Sequence, residues 1–467
     1  MLKTGFKKTL RSNQITPIKQ SIYAIGLAIC LALISGILSS IVLADSSHAA
    51  LVAIIVFLIT LWTNEGLPLG VVSLLPLILF PAFGILDLKP TSSNYSNPVI
   101  FLFLGGFMLA IAVQKTGLHQ FVAQAMLPKR VQTVRGVIFS LGLVSALLSA
   151  LLSNTTTALL LLPIALILSD ERTFQARFVL AIAYGSSIGG IITPIGTPPN
   201  LILMGFIESQ GLPSITFVNW MFLTAPLAIV MLFIMPWILA IGLPQKHNSF
   251  AIESDKKPLN KEQRKLAFLL GSLALLLLLN SAIEPWYSGL GLDEKLIMLG
   301  FGLLLFLPGM NFLKWQDTKS IPYEIIFLFG AGFSIANAVM DSGLAQVIAI
   351  NLQLFSNLPA IVIILLVAVL ITFSTEVTSN TALISLALPI IYSLGEIANI
   401  DSKLILMVAT ICGSYAFMLP IATPPNAIAI SSGVLKIKEM MKLGLVFNVL
   451  SIILTTFIAW FFWQQFI

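Results

Sequence analysis

Hydrophobic residues run through this chain in blocks of roughly 20, the length that one helical crossing of a bilayer needs, separated by short polar or Gly- and Pro-bearing connections. The blocks predict crossings at about 20–44, 49–64, 67–86, 97–115, 175–209, 214–242, 264–284, 293–309, 321–340, 402–433 and 441–466. Two further apolar stretches, about 133–168 and 358–396, are too long for one ordinary crossing. Each carries a polar tripeptide near its middle, Ser153-Asn154-Thr155 in one and Ser379-Asn380-Thr381 in the other. A continuous helix would bring those groups to hydrocarbon, so both stretches read as re-entrant hairpins, helix in, turn, helix out on the same side. The expected fold is an all-α polytopic membrane protein of about 11 transmembrane helices plus two re-entrant hairpins.

About forty residues after each tripeptide comes a second polar break, Gly196-Thr197-Pro198-Pro199-Asn200 and then Ala422-Thr423-Pro424-Pro425-Asn426. Tripeptides and breaks alike repeat at an offset of 226 residues, 154 to 380 and 200 to 426. The same offset relates Phe101-Leu102-Phe103 to Phe327-Leu328-Phe329, Gly106-Phe107 to Gly332-Phe333, Gly117-Leu118 to Gly343-Leu344, Pro163 to Pro389 and Pro194-Ile195 to Pro420-Ile421. One register kept over about a hundred residues indicates a duplicated unit. Each unit has five crossings and one hairpin, and an odd count sets the second copy upside down, the inverted-repeat architecture of secondary transporters. The chain then divides into an N-terminal cytoplasmic segment and first helix (1–48), a first repeat (49–242), a cytoplasmic linker (243–263) and a second repeat (264–467).

Composition agrees with a membrane protein: 58% of the 467 residues are hydrophobic and 9% charged, with a mean hydropathy of +1.00, where soluble domains carry about 25% charged residues. The longest polar stretch, about Gln245–Lys265, is too short to bury a core of its own. The net charge of +6 does not suggest nucleic acid, because the basic residues mark one membrane face. With the N-terminus inside, the cytoplasmic segments hold Lys3, Lys7, Lys8, Arg11 and Lys19, then Lys115, Lys129, Arg130 and Arg135, then Arg172 and Arg177. The linker and the start of the next helix hold Lys246, Lys256, Lys257, Lys261, Arg264 and Lys265, and later loops Lys314, Lys319, Lys436, Lys438 and Lys442, so that 22 of 25 basic residues fall on one side. Lys89, Lys295 and Lys403 are outside. This asymmetry predicts a multi-pass protein of the cell (inner) membrane with a cytoplasmic N-terminus and an external C-terminus. It opens the first hairpin from the cytoplasm and the second from outside. The apolar run at about 22–43 exceeds a signal-peptide core and reads as a retained helix.

The four breaks are the candidate site. Interrupted backbone in a bilayer survives only where protein, water or ligand takes up its hydrogen bonds. The helix beginning at each tripeptide offers N–H groups and a partial positive end to an anion, and the helix ending before it offers carbonyls to a cation. Tandem proline removes two donors and disfavours helix at the preceding residue, which predicts extended backbone and available hydroxyls at Thr197 and Thr423. No Lys or Arg lies near any break, so a bound anion must be neutralised by helix ends and bound cations, and that dependence is a physical basis for coupling.

Other polar residues change little. Cys30 and Cys412 read as buried small residues, and His48, His119 and His247 lack metal-ligand spacing. Asn154-Thr155-Thr156 fits a glycosylation pattern but lies within the membrane, while Asn94-Tyr95-Ser96 is in an outside loop. Glu376, beside the second tip, reads as satisfied by neighbouring backbone or polar groups, with a proton site as the alternative. Glu65, Glu324 and Asp341 read as interfacial.

Paired Ser-Asn-Thr motifs, Gly-Thr-Pro-Pro-Asn and Ala-Thr-Pro-Pro-Asn breaks and an eleven-helix inverted repeat together resemble the divalent anion:sodium symporter family of dicarboxylate, citrate and sulfate carriers, over nearly the whole chain. The resemblance implies two Na⁺ sites, one from Ser149, Ser153, Asn154 and Gly196 and an inverted twin from Thr375, Thr378, Asn380 and Ala422. It implies substrate carboxylates held by Asn154 and Thr155 on one side and Asn380 and Thr381 on the other, with Thr197, Pro198, Thr423 and Pro424 completing the pocket. Family members often read Gly-Ser-Pro-Pro at the first break; Thr197 keeps the hydroxyl and adds a methyl, which bears on substrate preference. It further implies a homodimer with an elevator movement, in which about 20–115 and 264–340 form the scaffold and about 119–242 and 345–467 the moving transport domain.

The expected activity is therefore Na⁺-coupled uptake of a C4-dicarboxylate such as succinate, malate or fumarate, not an enzyme. Rival readings are a Na⁺-independent dicarboxylate exchanger of the same fold, a Na⁺-coupled sulfate or citrate carrier, and an anion channel whose flux ignores a Na⁺ gradient. A membrane hydrolase using Ser153 or Ser379 would need a base within reach, and neither His nor Lys is placed near them.

Overall fold

The computed structural model describes residues 17–43, 45–64, 66–126, 130–244, 246–251, 258–282, 286–351 and 358–467. Lys3, Lys7, Lys8, Arg11, Lys129, Lys256, Lys257 and Glu65 lie outside these residues. The chain opens with α1 (Pro17–Val42), α2 (Ser46–Asn64), the short α3 (Leu69–Leu74), α4 (Pro76–Ala82) and α5 (Leu88–Ser93), then α6 (Pro98–Lys115) and α7 (Leu118–Met126). Next come α8 (Val134–Ser149), α9 (Asn154–Ile167), α10 (Arg172–Gly190), α11 (Pro198–Ser209) and α12 (Phe217–Leu239). The second half runs α13 (Lys261–Asn280), α14 (Glu294–Leu304), α15 (Tyr323–Asp341), α16 (Leu344–Asn351), α17 (Ala360–Thr375), α18 (Asn380–Ala398), α19 (Ser402–Ser414), α20 (Pro424–Ser431) and α21 (Ile437–Ile458).

Local chemistry sets many of these boundaries. Asn97 caps α6 by accepting from Val99 N–H, with Pro98 at the first helical position, where a missing donor costs nothing. Thr133 caps α8, Asp401 caps α19, and Asn260 with Gln263 closes a capping box on α13. α18 stops at Asn399, which adopts a left-handed conformation.

Seven helices among the described residues are long and apolar enough to cross a membrane by themselves, including α2, α12, α15 and α18. Three of the expected crossings are instead two helices in tandem, α3–α4, α10–α11 and α19–α20. In the two stretches with a central tripeptide, α8 and α9 have 16 and 14 residues, about 24 and 21 Å at 1.5 Å per residue, short of a ~30 Å hydrocarbon core. The second stretch is unequal, with 16 residues in α17 and 19 in α18. The chain is all-helical in its apolar blocks, as expected. Polar segments outside the apolar blocks form a two-stranded antiparallel ribbon, β1 (Arg130–Thr133) against β2 (Lys246–Ala251), where paired backbone satisfies segments that have no apolar face to bury.

Apolar burial falls into two clusters. The smaller joins α1–α4 to α15, the start of α16 and Ala382 of α18; the larger gathers α6 to α14 with α17 to α21. α15 belongs to both. Leu328, Ala331, Ile335 and Ala338 face the smaller cluster, and Phe329, Phe333 and Ala336 the larger, two stripes at helical spacing.

Contacts in one half have counterparts in the other. α14 packs on α6 and α3 on α15; α10 packs on α8 and α19 on α17; α12 packs on α8 and α21 on α17. α20 packs on α9 and α10, and α11 on α18 and α19. Phe103 and Phe329, 226 positions apart, meet edge to face at 4.9 Å. On a polar loop, Asp317 accepts from Lys115 Nζ at 2.5 Å and from Lys314 N–H at 2.6 Å, bonds that hold its carboxyl below the usual carboxylate range and tie the end of α6 to the second half.

α6 and α14 approach so closely that a Cβ on Gly105 would lie 2.3 Å from the Met298 carbonyl oxygen. Gly105→Ala is expected to cost about 1–3 kcal/mol, as overpacking does, read as a lower midpoint in detergent thermal unfolding. Gly300→Ala, where nothing lies within 4 Å, is the control. Equal midpoints for the two variants would refute this account of the crossing.

Candidate functional site

The turns of both hairpin stretches and both proline breaks line one cavity of about 1330 Å³. Four helices start on its wall, α9 at Asn154, α11 at Pro198, α18 at Asn380 and α20 at Pro424. First-turn N–H groups have no partner inside their own helix, so four partial positive ends converge there. In α11 and α20 the prolines at the first two positions remove donors, which leaves α9 and α18 as the better N–H sources. Among the described lining residues there is no Lys or Arg, and the one acid is Glu324.

The tips are built alike. α8 ends at Ser149, the chain turns through Ala150–Ser153, and Ser153 in extended backbone caps α9 by accepting from Thr156 N–H. Ser149 Oγ donates to Asn154 Oδ1 at 2.5 Å. Thr375 Oγ1 donates to Asn380 Oδ1 at the same distance and also lies 2.9 Å from the Gly413 carbonyl, so its single proton has two acceptors. In both tips a buried hydroxyl fixes the asparagine amide through its Oδ1.

The breaks are also alike. Thr197 and Thr423 are extended, at φ −147° and −143°. Asn200 and Asn426 reach back across their breaks, Asn200 Nδ2 to the carbonyls of Gly190 (3.1 Å) and Thr193 (2.9 Å), Asn426 Nδ2 to those of Ala416 and Leu419 (both 3.0 Å). In the first break the Ile191 carbonyl accepts from Trp220 Nε1 and the Ile192 carbonyl from Thr224 Oγ1. Thr423 Oγ1 is buried without a partner among the described residues.

Of the residues expected to hold substrate, Asn154, Thr155, Thr197, Pro198, Asn380, Thr381, Thr423 and Pro424 all line the cavity. Of those expected to hold Na⁺, Ser153, Asn154, Gly196, Thr378, Asn380 and Ala422 line it as well. Ser149 and Thr375 do not; both are fully buried behind the asparagines they orient. Thr378 Oγ1 donates to the Ser374 carbonyl, turning its proton into the preceding turn and its lone pairs outward. Sequence reasoning missed Asn64, Phe103 and Phe107 as lining residues of the cavity, although the 226-residue offset that Phe103 and Phe107 share with the breaks was a signal that could have found the two aromatics. It also gave no role to Asn200 and Asn426, although both stand in the motif.

The tip and break of each half are joined differently. In the first half Thr193 Oγ1 donates to the Ala150 carbonyl at 2.5 Å. In the second half the equivalent positions are Leu419 and Glu376. The Glu376 carboxyl accepts from Phe417, Met418 and Leu419 N–H at 2.7–2.8 Å and from Asn448 Nδ2 at 2.7 Å. It is 3% exposed. Three consecutive N–H groups converging on one acceptor make an anion nest, here filled by the protein's own carboxyl.

The chain matches the citrate transporter family (CitMHS) over residues 55–412. It is 32% identical to a sodium-dependent dicarboxylate transporter, SdcS, of Staphylococcus saprophyticus over 442 residues, covering 88% of this chain and 85% of that protein. The Staphylococcus aureus protein of the same name is 30% identical over the same length and coverage. Among solved structures, the YdaH transporter of Alcanivorax borkumensis superposes with a TM-score of 0.56 at 15% identity, covering 96% of this chain and 99% of that one, a likeness of fold.

Glu376→Ala would strand four buried donors, each worth about 1–3 kcal/mol when left unpaired. Unfolding of the purified protein is expected to begin several degrees lower, with Glu376→Gln in between. A Glu376→Ala variant as stable as its parent would show that water or a rearranged turn replaces the carboxyl.

Proposed function

The chain belongs to the citrate transporter family and is a divalent anion:sodium symporter-type carrier, and from that premise we propose that it couples inward Na⁺ movement to uptake of a C4-dicarboxylate such as succinate, malate or fumarate. It is a transporter and not an enzyme. One observation carries the substrate reading: two tips and two breaks share a cavity lined by helix N-termini and neutral oxygens, with no basic side chain among its described lining residues. An anion there needs cations to neutralise it.

In this reading one Na⁺ is held by Ser149, Ser153, Asn154 and Gly196 and another by Thr375, Thr378, Asn380 and Ala422. The Ser149 hydroxyl proton points at the Asn154 oxygen and the Thr375 proton is shared between Asn380 Oδ1 and the Gly413 carbonyl, which leaves hydroxyl lone pairs for a cation and the Nδ2 groups of Asn154 and Asn380 for a carboxylate. Thr155 and Thr381 add first-turn N–H groups, and Thr197, Pro198, Thr423 and Pro424 shape the wall. Two Na⁺ and one dicarboxylate dianion make a neutral load, which avoids a formal charge in hydrocarbon. The cavity exceeds the usual ~300–1,000 Å³ of small-ligand pockets, so a four-carbon acid fills part of it.

Alternating access would move about 119–242 and 345–467, carrying re-entrant tips, against a scaffold of about 20–115 and 264–340 that also forms a homodimer. Two inverted repeats are supported by the paired contacts and by the touch of Phe103 on Phe329, as matched residues near a two-fold axis touch their own mates. Few polar links cross between the bodies, among them Lys295 to Glu208 at 3.0 Å and Phe217 N–H to Glu294 at 2.7 Å.

Uptake of labelled succinate into proteoliposomes is expected with an inward Na⁺ gradient and absent when K⁺ replaces Na⁺. Uptake in K⁺ that requires preloaded dicarboxylate would mean an exchanger, and flux indifferent to Na⁺ without preloading a channel. Asn154→Ala and Asn380→Ala are each expected to reduce uptake to background, since each removes a ligand of both cation and anion; normal uptake by either would defeat the shared-site arrangement.

A further inference from the structure

We infer that Asn200 and Asn426 are positioning residues for the cation ligands: each staples its proline break through its amide and so sets the spacing on which Na⁺ binding depends. The inference rests on reading the cavity as a Na⁺-dependent site. Both side chains are 0% exposed, and neither lines the cavity, so neither touches the load.

Their geometry argues that they are there as donors. Each amide spans its break to carbonyls ten and seven residues back. The Gly190 and Ala416 carbonyls lie where a helix has stopped, and their i+4 residues, Pro194 and Pro420, have no N–H to offer, while the Thr193 and Leu419 carbonyls also accept from Gly196 and Ala422 N–H. The Oδ1 of each is buried and accepts nothing among the described residues. An amide kept for two donated bonds, in both halves, serves the backbone it grips.

That backbone is continuous with the proposed ligands. A Cβ on Gly190 would lie 2.9 Å from Asn154 Oδ1 and 3.4 Å from Thr197 Cβ. A Cβ on Gly196 would lie 2.5 Å from the Gly190 carbonyl oxygen, the atom that Asn200 holds. Gly190 is thus packed without slack against both Asn154 and Gly196, and a shift of Gly190 passes directly to two proposed Na⁺ ligands. In the second half Leu419 is held twice, its carbonyl by Asn426 and its N–H by Glu376. A site made of neutral oxygens has little charge with which to pull a displaced ligand back, so its affinity follows how well its supporting shell fixes it.

Asn200→Asp keeps the shape and the oxygen but sets a carboxyl against two carbonyls. Gly190→Ala is the second variant, since it disturbs the same contact without touching the staple. Two quantities would be read on the full-length protein: the Na⁺ concentration for half-maximal succinate uptake in proteoliposomes, and the thermal midpoint in Na⁺ and in K⁺ without substrate. Both variants are expected to raise half-saturating Na⁺ roughly tenfold, the lower end for losing an outer-shell partner of a metal ligand. The Na⁺-minus-K⁺ difference in midpoint should shrink. The succinate KM at saturating Na⁺ should change little.

Midpoints lowered equally in Na⁺ and K⁺, with half-saturating Na⁺ unchanged, would mean a purely structural residue and overturn the inference. If Asn200→Asp does not fold, Gly190→Ala decides by the same two readouts. A parent protein that takes up succinate without regard to Na⁺, and shows no Na⁺-dependent midpoint, would instead overturn the functional reading and the inference with it.

Discussion

Backbone carbonyl and N–H groups inside a bilayer have no water to turn to, and this chain interrupts its helices four times where they line one cavity. Everything around the cavity follows from how those loose ends are taken up. Trp220 and Thr224 donate to Ile191 and Ile192, Asn200 and Asn426 close the breaks, and Glu376 collects three successive N–H groups. On the cavity wall Thr423 Oγ1 has no partner among the described residues, and the first turns of α9 and α18 begin there.

The two halves solve this problem with different atoms at matching positions. Between positions 150 and 193 the bond runs from a threonine hydroxyl to a backbone carbonyl. Between 376 and 419 it runs from a backbone N–H to a carboxyl that is engaged three more times. Gly190 and Gly196 are also replaced by Ala416 and Ala422 in the second half. The first cluster is held by fewer bonds and smaller residues, the second by a network on both sides of Leu419. Duplication does not make the two tip-and-break clusters equivalent, and the sequence departs from its own repeat where tip meets break.

Much of the site was legible because its chemistry is local to motifs. Ser-Asn-Thr and Thr-Pro-Pro-Asn each state a helix interruption within a few residues, and the common offset shows that the four belong together. The extended Thr197 and Thr423 follow from the prolines after them. What the motifs do not carry is direction. Asn200 stands in plain view, but which carbonyls its amide reaches depends on how the chain folds back over the break. Ser149 and Thr375 read as ligands on an equal footing with the others, yet they sit behind the asparagines, a distinction that only packing makes. Helix blocks were legible from hydropathy, whereas the β1–β2 ribbon was not, because its strands are too short and polar to leave a period. The double role of α15 was hidden for the opposite reason: a helix apolar all round does not announce that its two faces belong to different clusters.

That ribbon sets a mechanical limit. β2 is tied to β1 immediately before α8, and α13 begins at Lys261, so nine residues (252–260) join the ribbon to the second half of the chain. A chain reaches at most about 3.3–3.6 Å per residue, so this tether spans no more than about 35 Å from Ala251 to Lys261. Any rigid travel of the tips relative to α13 must fit within that leash or unzip the strands first. The separation of Ala251 from Lys261 is therefore bounded by a covalent length for as long as the strands stay paired.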